Sequence, residues 1–523
     1  MFFTYIIIFP LFVFYFCFSQ VGSWPDFLSR SVKKSVTILR QCIKVFSGKP
    51  GQEKVIMTDS KKTGIKYTSE YELEGRIPLG KAIIFGMQHV LAMFVGNLTP
   101  ILVIGGACGL RDLGLMVPAI QNAMLIAGLV TLVQLWTIGP VGGRLPIVMG
   151  TSSGFIGVMN GIISTMGGGA VAYGAILGAS FIGGLFETVL GFCLKPLRKF
   201  FPSVVTGTVV TAIGLSLISV GINSFGGGNN NKDFGHPVNL LVGTVVLVSI
   251  ILLKHFTKGI LSSASILFGI MIGYLFCGIL GAVLPAAYEF EGQTLTHSWV
   301  LQWANVRNAA WLSIPRLMPV KFVFDLRAII PFIIMFIVTA METIGDTSGI
   351  CKGGFGREAT DRELSGSVIC DGLGSAFASF FGVLPNTSFS QNVGLIGMTK
   401  IVNLYAISMG AIFLVLCGFC PKLAALIQIM PQSVLGGAAV IMFASIVVSG
   451  IQLITSNGVT NRVVTIVAVS LGLGYGLGTT SNVLAMLPKW VTYVFGGSGI
   501  VPAGVCAIIL NAVLKPDDAT SSR

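Results

Sequence analysis

The chain has 523 residues, of which 53% are hydrophobic and only 10% are charged. Soluble domains usually carry about 25% charged residues, so the composition excludes a soluble enzyme, a secreted scaffold and a DNA-binding domain. It indicates a helical integral membrane protein. The formal net charge of +13 predicts membrane topology rather than a nucleic-acid partner, because most of the excess lies in the N-terminal tail and in short loops.

The N-terminal segment, residues 1–77, precedes the first predicted span. Its residues 1–18 form an aromatic-rich apolar run without a basic n-region or an A-x-A site, which makes it a poor signal peptide. The run is either an extra helix or sequence upstream of a later start such as Met57. The polar lead-in at residues 60–80 favours the second alternative.

Fourteen apolar segments follow, and a spanning helix needs about 20 such residues. We predict a first seven-span repeat at 78–285, an extracellular connection at 286–327, a second repeat at 328–514 and a C-terminal tail at 515–523. The predicted spans are residues 82–105, 115–139, 146–163, 170–194, 204–221, 238–253, 261–284, 328–350, 367–382, 386–398, 404–418, 434–454, 463–487 and 491–514.

Basic residues in the short loops predict the orientation, because cytoplasmic loops retain Lys and Arg. Eleven of them follow even-numbered spans, including the cluster Lys195, Arg198 and Lys199, and four follow odd-numbered spans. Most of the N-terminal tail and the C-terminal tail are therefore predicted to be cytoplasmic.

Spans 3 and 10 resemble each other and are both interrupted. Leu145-Pro146 precede GFIG at 154–157, and Leu384-Pro385 precede GLIG at 394–397. Polar runs, GTSSG at 150–154 and NTSFSQN at 386–392, make both segments poor continuous helices. We predict extended stretches that each lead into a half-helix, with both N-termini facing a common site. The alternative is two loops that barely enter the membrane.

Ionisable residues inside spans are costly and become functional candidates. Glu342 and Asp346 in span 8 are four residues apart, so they share a helix face with a rise of about 6 Å. Carboxyls that gain and lose a proton are what a proton-coupled carrier needs. Helix capping or packing is the alternative, especially for Asp346. The other candidates are Gln88 and His89 in span 1, Glu187 in span 4 and Asp371 in span 9.

These other polar residues have structural alternatives. His89 is a proton relay or, more often for a lone histidine, a hydrogen-bonded strut beside Gln88. Asp371 is expected to link span 9 to the broken segments or to take part in proton coupling. Glu187 is expected to approach the basic cluster at the cytoplasmic end.

Three motifs resemble those of the nucleobase-ascorbate transporter family, also called nucleobase:cation symporter 2. Its signature is Gln, Glu or Pro, then Asn, any residue, Gly, four residues, Thr, and a basic residue or Gly. The sequence QNVGLIGMTK at 391–400 matches every fixed position. Gln88-His89 and ETIGD at 342–346 agree with two further motifs. The resemblance extends over about residues 78–514.

The resemblance implies an all-α polytopic membrane protein whose fourteen transmembrane helices form two inverted seven-helix repeats, with discontinuous spans 3 and 10. Spans 1–4 and 8–11 would form a core domain, and spans 5–7 and 12–14 a gate domain. Family members usually act as homodimers and transport by an elevator-like motion of core against gate.

The resemblance also implies a substrate site. Glu342 and Gln391 map onto base-binding residues, and Ser390 together with Ser153 to Phe155 map onto further, mainly backbone, contacts. Many relatives have Phe directly after the Thr-Ser of span 3, whereas here Ser153 and Gly154 precede Phe155. For proton coupling or structural support we expect the residues Asp371, Asp346, His89, Gln88 and Asn392.

The chemistry of these side chains suits an oxopurine. A carboxylate accepts two N–H bonds, and an amide donates and accepts. Uracil-carrying branches tend to have Glu and His where Gln391 and Asp346 stand, so the resemblance implies proton-coupled import of xanthine or uric acid. A uracil, pyrimidine or other purine permease and sodium coupling stay open. We expect no enzymatic activity, no cofactor, no metal and no nucleic-acid partner, in a plasma-membrane protein.

Overall fold

The computed structural model describes residues 67–194, 202–228, 231–258, 260–290, 293–315, 317, 320–456, 458–484, 486–488, 491, 495 and 499–515. Three segments discussed above lie outside the described residues: residues 1–18, for which two alternatives were considered, the basic cluster at 195–199, and residues 516–523 of the C-terminal tail.

The first seven predicted spans correspond to helices, with a strand added in span 3. Their bounds are Leu79–Ala107 for span 1, Met116–Trp136 for span 2, strand β1 Met149–Thr151 and helix Ile156–Met166 for span 3, Gly169–Phe192 for span 4, Ser203–Phe225 for span 5, Pro237–Phe256 for span 6, and Ile260–Ser263 with Ser265–Val283 for span 7.

The connection and the second half follow the same order. The connection contains the hairpin of β2 (Ala287–Phe290) and β3 (Gln293–Thr296) and the helix Trp303–Asn308. The later spans are Leu326–Phe355 for span 8, Asp361–Phe380 for span 9, strand β4 Asn386–Ser388 and helix Ser390–Thr399 for span 10, Leu404–Gly418 for span 11, Gln432–Thr455 for span 12, Asn461–Thr479 for span 13 and Ile500–Val513 for span 14.

Nine helices in the described part of the chain are long and apolar enough to cross a membrane. A tenth crossing is formed if span 11 is counted with helix Pro421–Gln428, which bends away from it by 84°. The helices of spans 3 and 10 are short because each span begins as a strand. Span 9 begins in a polar capping box, in which the Thr360 side chain accepts from the Glu363 backbone and the Glu363 side chain accepts from the Thr360 backbone.

The helices pack most extensively within two groups, spans 1–4 with 8–11 and spans 5–7 with 12–14. In the first group span 4 packs on span 9 and span 11 on span 2, while span 8 packs on span 4 and span 1 on span 11. In the second group span 6 packs on span 12 and span 13 on span 5. Each of these pairs has a counterpart whose span numbers differ by seven: 4 and 9 correspond to 11 and 2, 8 and 4 to 1 and 11, and 6 and 12 to 13 and 5. Such a correspondence is expected of two related halves.

Glycines permit several close contacts between these helices. A Cβ on Gly184 of span 4 would lie 2.6 Å from the carbonyl oxygen of Gly372 in span 9. A Cβ on Gly372 would likewise lie 2.6 Å from the carbonyl oxygen of Gly184. Small residues let helix backbones approach closely inside a membrane. The two backbones therefore touch at a point that any side chain would separate.

The two broken spans meet in a two-stranded antiparallel sheet, β1 with β4. Met149 pairs with Ser388 and Thr151 with Asn386. One hydroxyl supports the start of each strand. The Thr131 hydroxyl of span 2 accepts from the Met149 backbone N–H at 2.9 Å and donates to the Met149 carbonyl oxygen at 3.2 Å. Ser375 of span 9 does the same for Asn386, at 2.8 and 3.3 Å. These bonds satisfy backbone groups that lipid could not.

Candidate functional site

A cavity lies where the two broken spans face the second group of helices. Its polar lining comes from spans 3, 8 and 10, and its apolar lining comes mainly from spans 5 and 12, with Phe389 of span 10. The lining residues are Gly96, Thr151, Ser152, Ser153, Gly154, Ile213, Glu342, Thr387, Ser388, Phe389, Ser390, Gln391, Met442, Phe443 and Ile446. The cavity therefore has one hydrogen-bonding wall and one apolar wall.

Four of the five residues expected to contact substrate line this cavity. Glu342 comes from the middle of the long span 8 helix, while Ser390 and Gln391 begin the span 10 half-helix. Ser153 lies just before the span 3 half-helix, which begins at Ile156. The first backbone N–H groups of a helix have no partner within it and attract partial negative charge. A carboxylate, an amide and two helix N-termini thus surround one small volume.

Phe155 is the fifth expected contact, and it lies elsewhere. Its side chain is completely buried, with its ring centroid 5.1 Å from that of Phe332 and 4.8 Å from that of Phe336 in span 8. The ring anchors the start of the half-helix to span 8. The ring therefore belongs to the packed core rather than to the lining of the cavity.

Asp346 is held by two serine hydroxyls. Ser388 donates to Oδ2 at 2.6 Å, and Ser390 donates to Oδ1 at 2.8 Å. The carboxyl is 7% exposed, and both serines line the cavity. Asp346, one helical turn beyond Glu342, therefore ties span 8 to two residues of span 10 by hydrogen bonds.

Asp371 in span 9 is completely buried and contacts span 8. The Thr343 hydroxyl lies 2.6 Å from its Oδ2 and 3.3 Å from the Ser388 hydroxyl. The hydrogen bonds between Asp371 and Thr343, and between Thr343 and Ser388, therefore link Asp371 to span 10 through a threonine of span 8, whereas Ser375 of span 9 bonds Asn386 directly. Neither hydroxyl was singled out from the sequence, although Thr343 lies within ETIGD and Ser388 within the polar run of span 10.

His89 and Asn392 bond each other, which joins span 1 to span 10. The Asn392 amide nitrogen lies 3.0 Å from His89 Nδ1 and 3.1 Å from the His89 carbonyl oxygen, and both residues are buried. This geometry is that of the strut considered for His89. Gln88, the preceding residue, is half-buried in span 1.

Glu187 is more deeply placed than its position in the sequence indicates. It is completely buried, and the Thr339 hydroxyl of span 8 lies 3.2 Å from its Oε1. Within the described residues, the donors that contact Glu187, Asp346 and Asp371 are thus hydroxyl groups. Hydroxyls can accept as well as donate, so they suit carboxyls that change protonation state.

The sequence interpretation also missed Asn97 and the apolar wall. Asn97 Oδ1 accepts from the Thr151 backbone N–H at 2.7 Å and is completely buried; its one sequence signal is an amide inside an apolar span. Met442, Phe443 and Ile446 of span 12 have no signal, because they resemble any other lipid-facing or packed residue.

Comparisons with known proteins extend along most of the chain. A family model described as a permease family, Xan_ur_permease, matches residues 80–483. The chain is 37% identical over 451 residues to a putative purine permease of Clostridium perfringens, covering 85% of this chain and 93% of the relative. It is 32% identical over 457 residues to the xanthine permease XanP of Escherichia coli, covering 86% and 95%. It is 34% identical over 442 residues to the uric acid permease PucK of Bacillus subtilis, covering 84% and 97%.

A solved structure shares the fold. The transmembrane domain of the cyanobacterial bicarbonate transporter BicA matches with a TM-score of 0.53 and 15% identity, covering 80% of this chain and 98% of that domain. The predicted fold class is therefore confirmed: a helical membrane protein of two inverted seven-span repeats, with core and gate domains and discontinuous spans 3 and 10.

Proposed function

The chain belongs to the Xan_ur_permease family of permeases, and from that premise we propose that it imports xanthine or uric acid by proton symport. Relatives at 32 to 34% identity include a xanthine permease and a uric acid permease. The protein is a polytopic membrane protein, and we propose the plasma membrane as its location. Its substrate is a nucleobase, and no chemical conversion is part of the proposed cycle.

The observation that carries this proposal is the cavity shared by Glu342, Gln391 and both broken spans. An oxopurine presents N–H donors and C=O acceptors around a flat ring. The Glu342 carboxylate accepts two N–H bonds, and the Gln391 amide accepts one and donates one. Backbone N–H groups at Ser390 and near Ser153 suit the carbonyl oxygens or the partial charge of an acidic ring.

We propose that transport proceeds by an elevator-like motion of the core against the gate. The hydrogen-bonding wall belongs to the core, whereas Ile213, Met442, Phe443 and Ile446 of the gate offer an apolar surface. An apolar surface makes no directional bonds, so sliding along it costs little. The base would travel with the core, and the gate would stay fixed within a homodimer.

Protons are the proposed coupling ion, carried by Asp346 and Asp371, while His89 and Asn392 brace span 10 against span 1. Loops with basic residues support a cytoplasmic location for the C-terminal tail and most of the N-terminal tail. Inward proton flow would then drive accumulation of the base in the cell.

Uptake in proteoliposomes tests the function. We expect labelled xanthine to accumulate when the outside is more acidic, and unlabelled uric acid to compete more strongly than uracil. Stronger competition by uracil would indicate a pyrimidine permease instead. Accumulation that follows a sodium gradient at equal pH would replace protons by sodium, and conversion of xanthine to another compound would refute the transporter proposal.

A further inference from the structure

Four side-chain oxygens form a row between spans 9, 8 and 10. The Asp371 Oδ2 lies 2.6 Å from Thr343 Oγ1, which lies 3.3 Å from Ser388 Oγ, which lies 2.6 Å from Asp346 Oδ2. The two outer distances are typical of O–H···O hydrogen bonds, and the central one is longer. The two carboxyls therefore communicate through two hydroxyls, and each hydroxyl can donate in either direction.

The row has three gaps, and each gap needs one proton to be a hydrogen bond. The Thr343 and Ser388 hydroxyls supply two protons. With both carboxyls ionised, one gap contains no proton. One added carboxyl proton fills the third gap, and a second one would have to lie on a carboxyl oxygen outside the row, Asp346 Oδ1 or Asp371 Oδ1. A single proton shared by Asp371 and Asp346 is therefore sufficient to complete the row.

We propose that Asp371 and Asp346 share a single proton through Thr343 and Ser388, and that this is the proton coupled to base transport. The inference rests on the proposed proton symport. In one state the Asp371 O–H donates to Thr343, Thr343 to Ser388, and Ser388 to the Asp346 carboxylate. In the other state Asp346 donates to Ser388, Ser388 to Thr343, and Thr343 to the Asp371 carboxylate. Each transfer breaks one O–H bond and forms one, so no co-reactant is required.

The surroundings of the two carboxyls indicate where the proton lies in this conformation. Asp346 accepts a second hydrogen bond from Ser390 at 2.8 Å, which stabilises its ionised form. In the described part of the chain, Asp371 Oδ1 is buried and has no hydrogen-bond partner. An unpartnered oxygen costs less on a neutral acid than on a carboxylate, which suits the state in which Asp371 donates to Thr343.

The same geometry explains how base binding could move the proton. Ser390 both donates to Asp346 and lines the cavity beside Glu342. A base that draws the Ser390 hydroxyl toward itself deprives Asp346 of one donor and makes protonation of Asp346 more favourable. The other acidic groups near the row are Glu342, one turn before Asp346, and Glu187, whose partner Thr339 lies one turn before Thr343. Both disfavour a second negative charge.

Removal of a single hydroxyl from the row is the decisive experiment. Thr343→Val keeps the shape of the side chain and removes its hydroxyl, and Thr343→Ser restores the hydroxyl. Thr347→Val is the matched control, because Thr347 is also completely buried on span 8 but bonds only the Thr343 backbone carbonyl, at 2.6 Å. Ser388→Ala breaks the row at its other hydroxyl and serves if Thr343→Val does not fold.

Two transport modes are compared in proteoliposomes for each variant. Proton-driven accumulation of labelled xanthine requires the proton to move, whereas counterflow exchange at equal pH requires only that the loaded carrier cycles. For Thr343→Val we expect accumulation to fall about tenfold or more and counterflow to change by less than about threefold. Thr343→Ser and Thr347→Val should retain both modes. The double variant with Ser388→Ala should be no worse than the poorer single variant, because one break already interrupts the row.

Three results would overturn the shared proton. Thr343→Val could accumulate xanthine as well as Thr347→Val, Thr343→Ser could fail as badly as Thr343→Val, or counterflow could fall in parallel with accumulation. Failure of the proposed function looks different: the unsubstituted protein would show counterflow but no response to the proton gradient. That result would remove proton symport itself before any variant is compared.

Discussion

The amide of Asn97 fixes the backbone of span 3 beside the cavity, and its removal gives the sharpest test of how the site is built. Its Oδ1 accepts from the Thr151 N–H at 2.7 Å, and its Nδ2 lies 3.4 Å from the Ala123 carbonyl oxygen of span 2. Thr151 is the last residue of β1 and lines the cavity. Asn97→Ala therefore leaves a buried N–H without its acceptor at the edge of the site.

The cost follows from that single bond. An unsatisfied buried donor costs about 1–3 kcal/mol, which corresponds to roughly 5- to 150-fold in an equilibrium constant. The strand relaxes to satisfy its N–H, and the prepared position of the span 3 half-helix is lost. We expect the Kd for labelled xanthine, measured with purified protein, to rise within that range.

Thr99→Ala is the control for Asn97→Ala. Thr99 is completely buried on the same helix, but its hydroxyl donates at 2.8 Å to the Val95 carbonyl of its own helix. Its truncation removes a buried polar group without touching β1. If the two variants bind xanthine with equal Kd values, the amide does not position the site and the reasoning is refuted.

Three other substitutions have defined outcomes. Glu342→Gln is expected to abolish proton-driven uptake while the purified protein remains monodisperse on size-exclusion chromatography, and vigorous accumulation would contradict the carboxylate role. Gln391→Glu is expected to weaken xanthine competition roughly ten- to hundredfold or to shift preference toward uracil; an unchanged competition profile counts against direct contact. Gly150→Ala places its Cβ 2.7 to 2.9 Å from side-chain atoms of spans 1 and 10 and should destabilise the protein by about 1–3 kcal/mol. The control is Gly106→Ala, whose Cβ meets nothing within 4 Å; equal melting temperatures would refute the steric argument.

The broken spans were predictable because a membrane penalises polar backbone and side chains so strongly. A run such as NTSFSQN at 386–392 has no place in a continuous apolar helix, so its local sequence alone predicts an interruption. Glu342 was predictable for the same reason, as a carboxyl within the apolar span 8. Polar residues inside an apolar span are recognisable in the sequence because burying them in a membrane is energetically unfavourable.

The pairing of β1 with β4 was not predictable from either segment. Met149 and Ser388 pair across a long stretch of chain, and neither three-residue strand has a distinctive pattern. Register depends on supports from other helices, such as the hydroxyls of Thr131 and Ser375. A threonine or serine in an apolar helix usually bonds its own backbone, so its sequence does not reveal this second use.

The place of Phe155 was not predictable from the resemblance. The resemblance implied a contact with the substrate near this position, but the ring packs between Phe332 and Phe336. The direction of a side chain at the start of a helix changes by about 100° per residue. A difference of one or two residues in spacing is therefore enough to decide whether an aromatic ring faces a cavity or a core.

The supports of the two strands bear on the proposed motion. Spans 1, 2 and 9 supply the side-chain bonds from Asn97, Thr131 and Ser375 that hold β1 and β4, and all three spans belong to the core. The gate meets the cavity through Ile213, Phe443 and their apolar neighbours. Among the described residues that line the cavity, hydrogen-bonding groups lie on the core side and most of the apolar side chains on the gate side, an arrangement that suits the proposed sliding of the core. A base bonded to Glu342 would stay with the sheet and its half-helices, which supports the proposal that the site moves as a unit with the core.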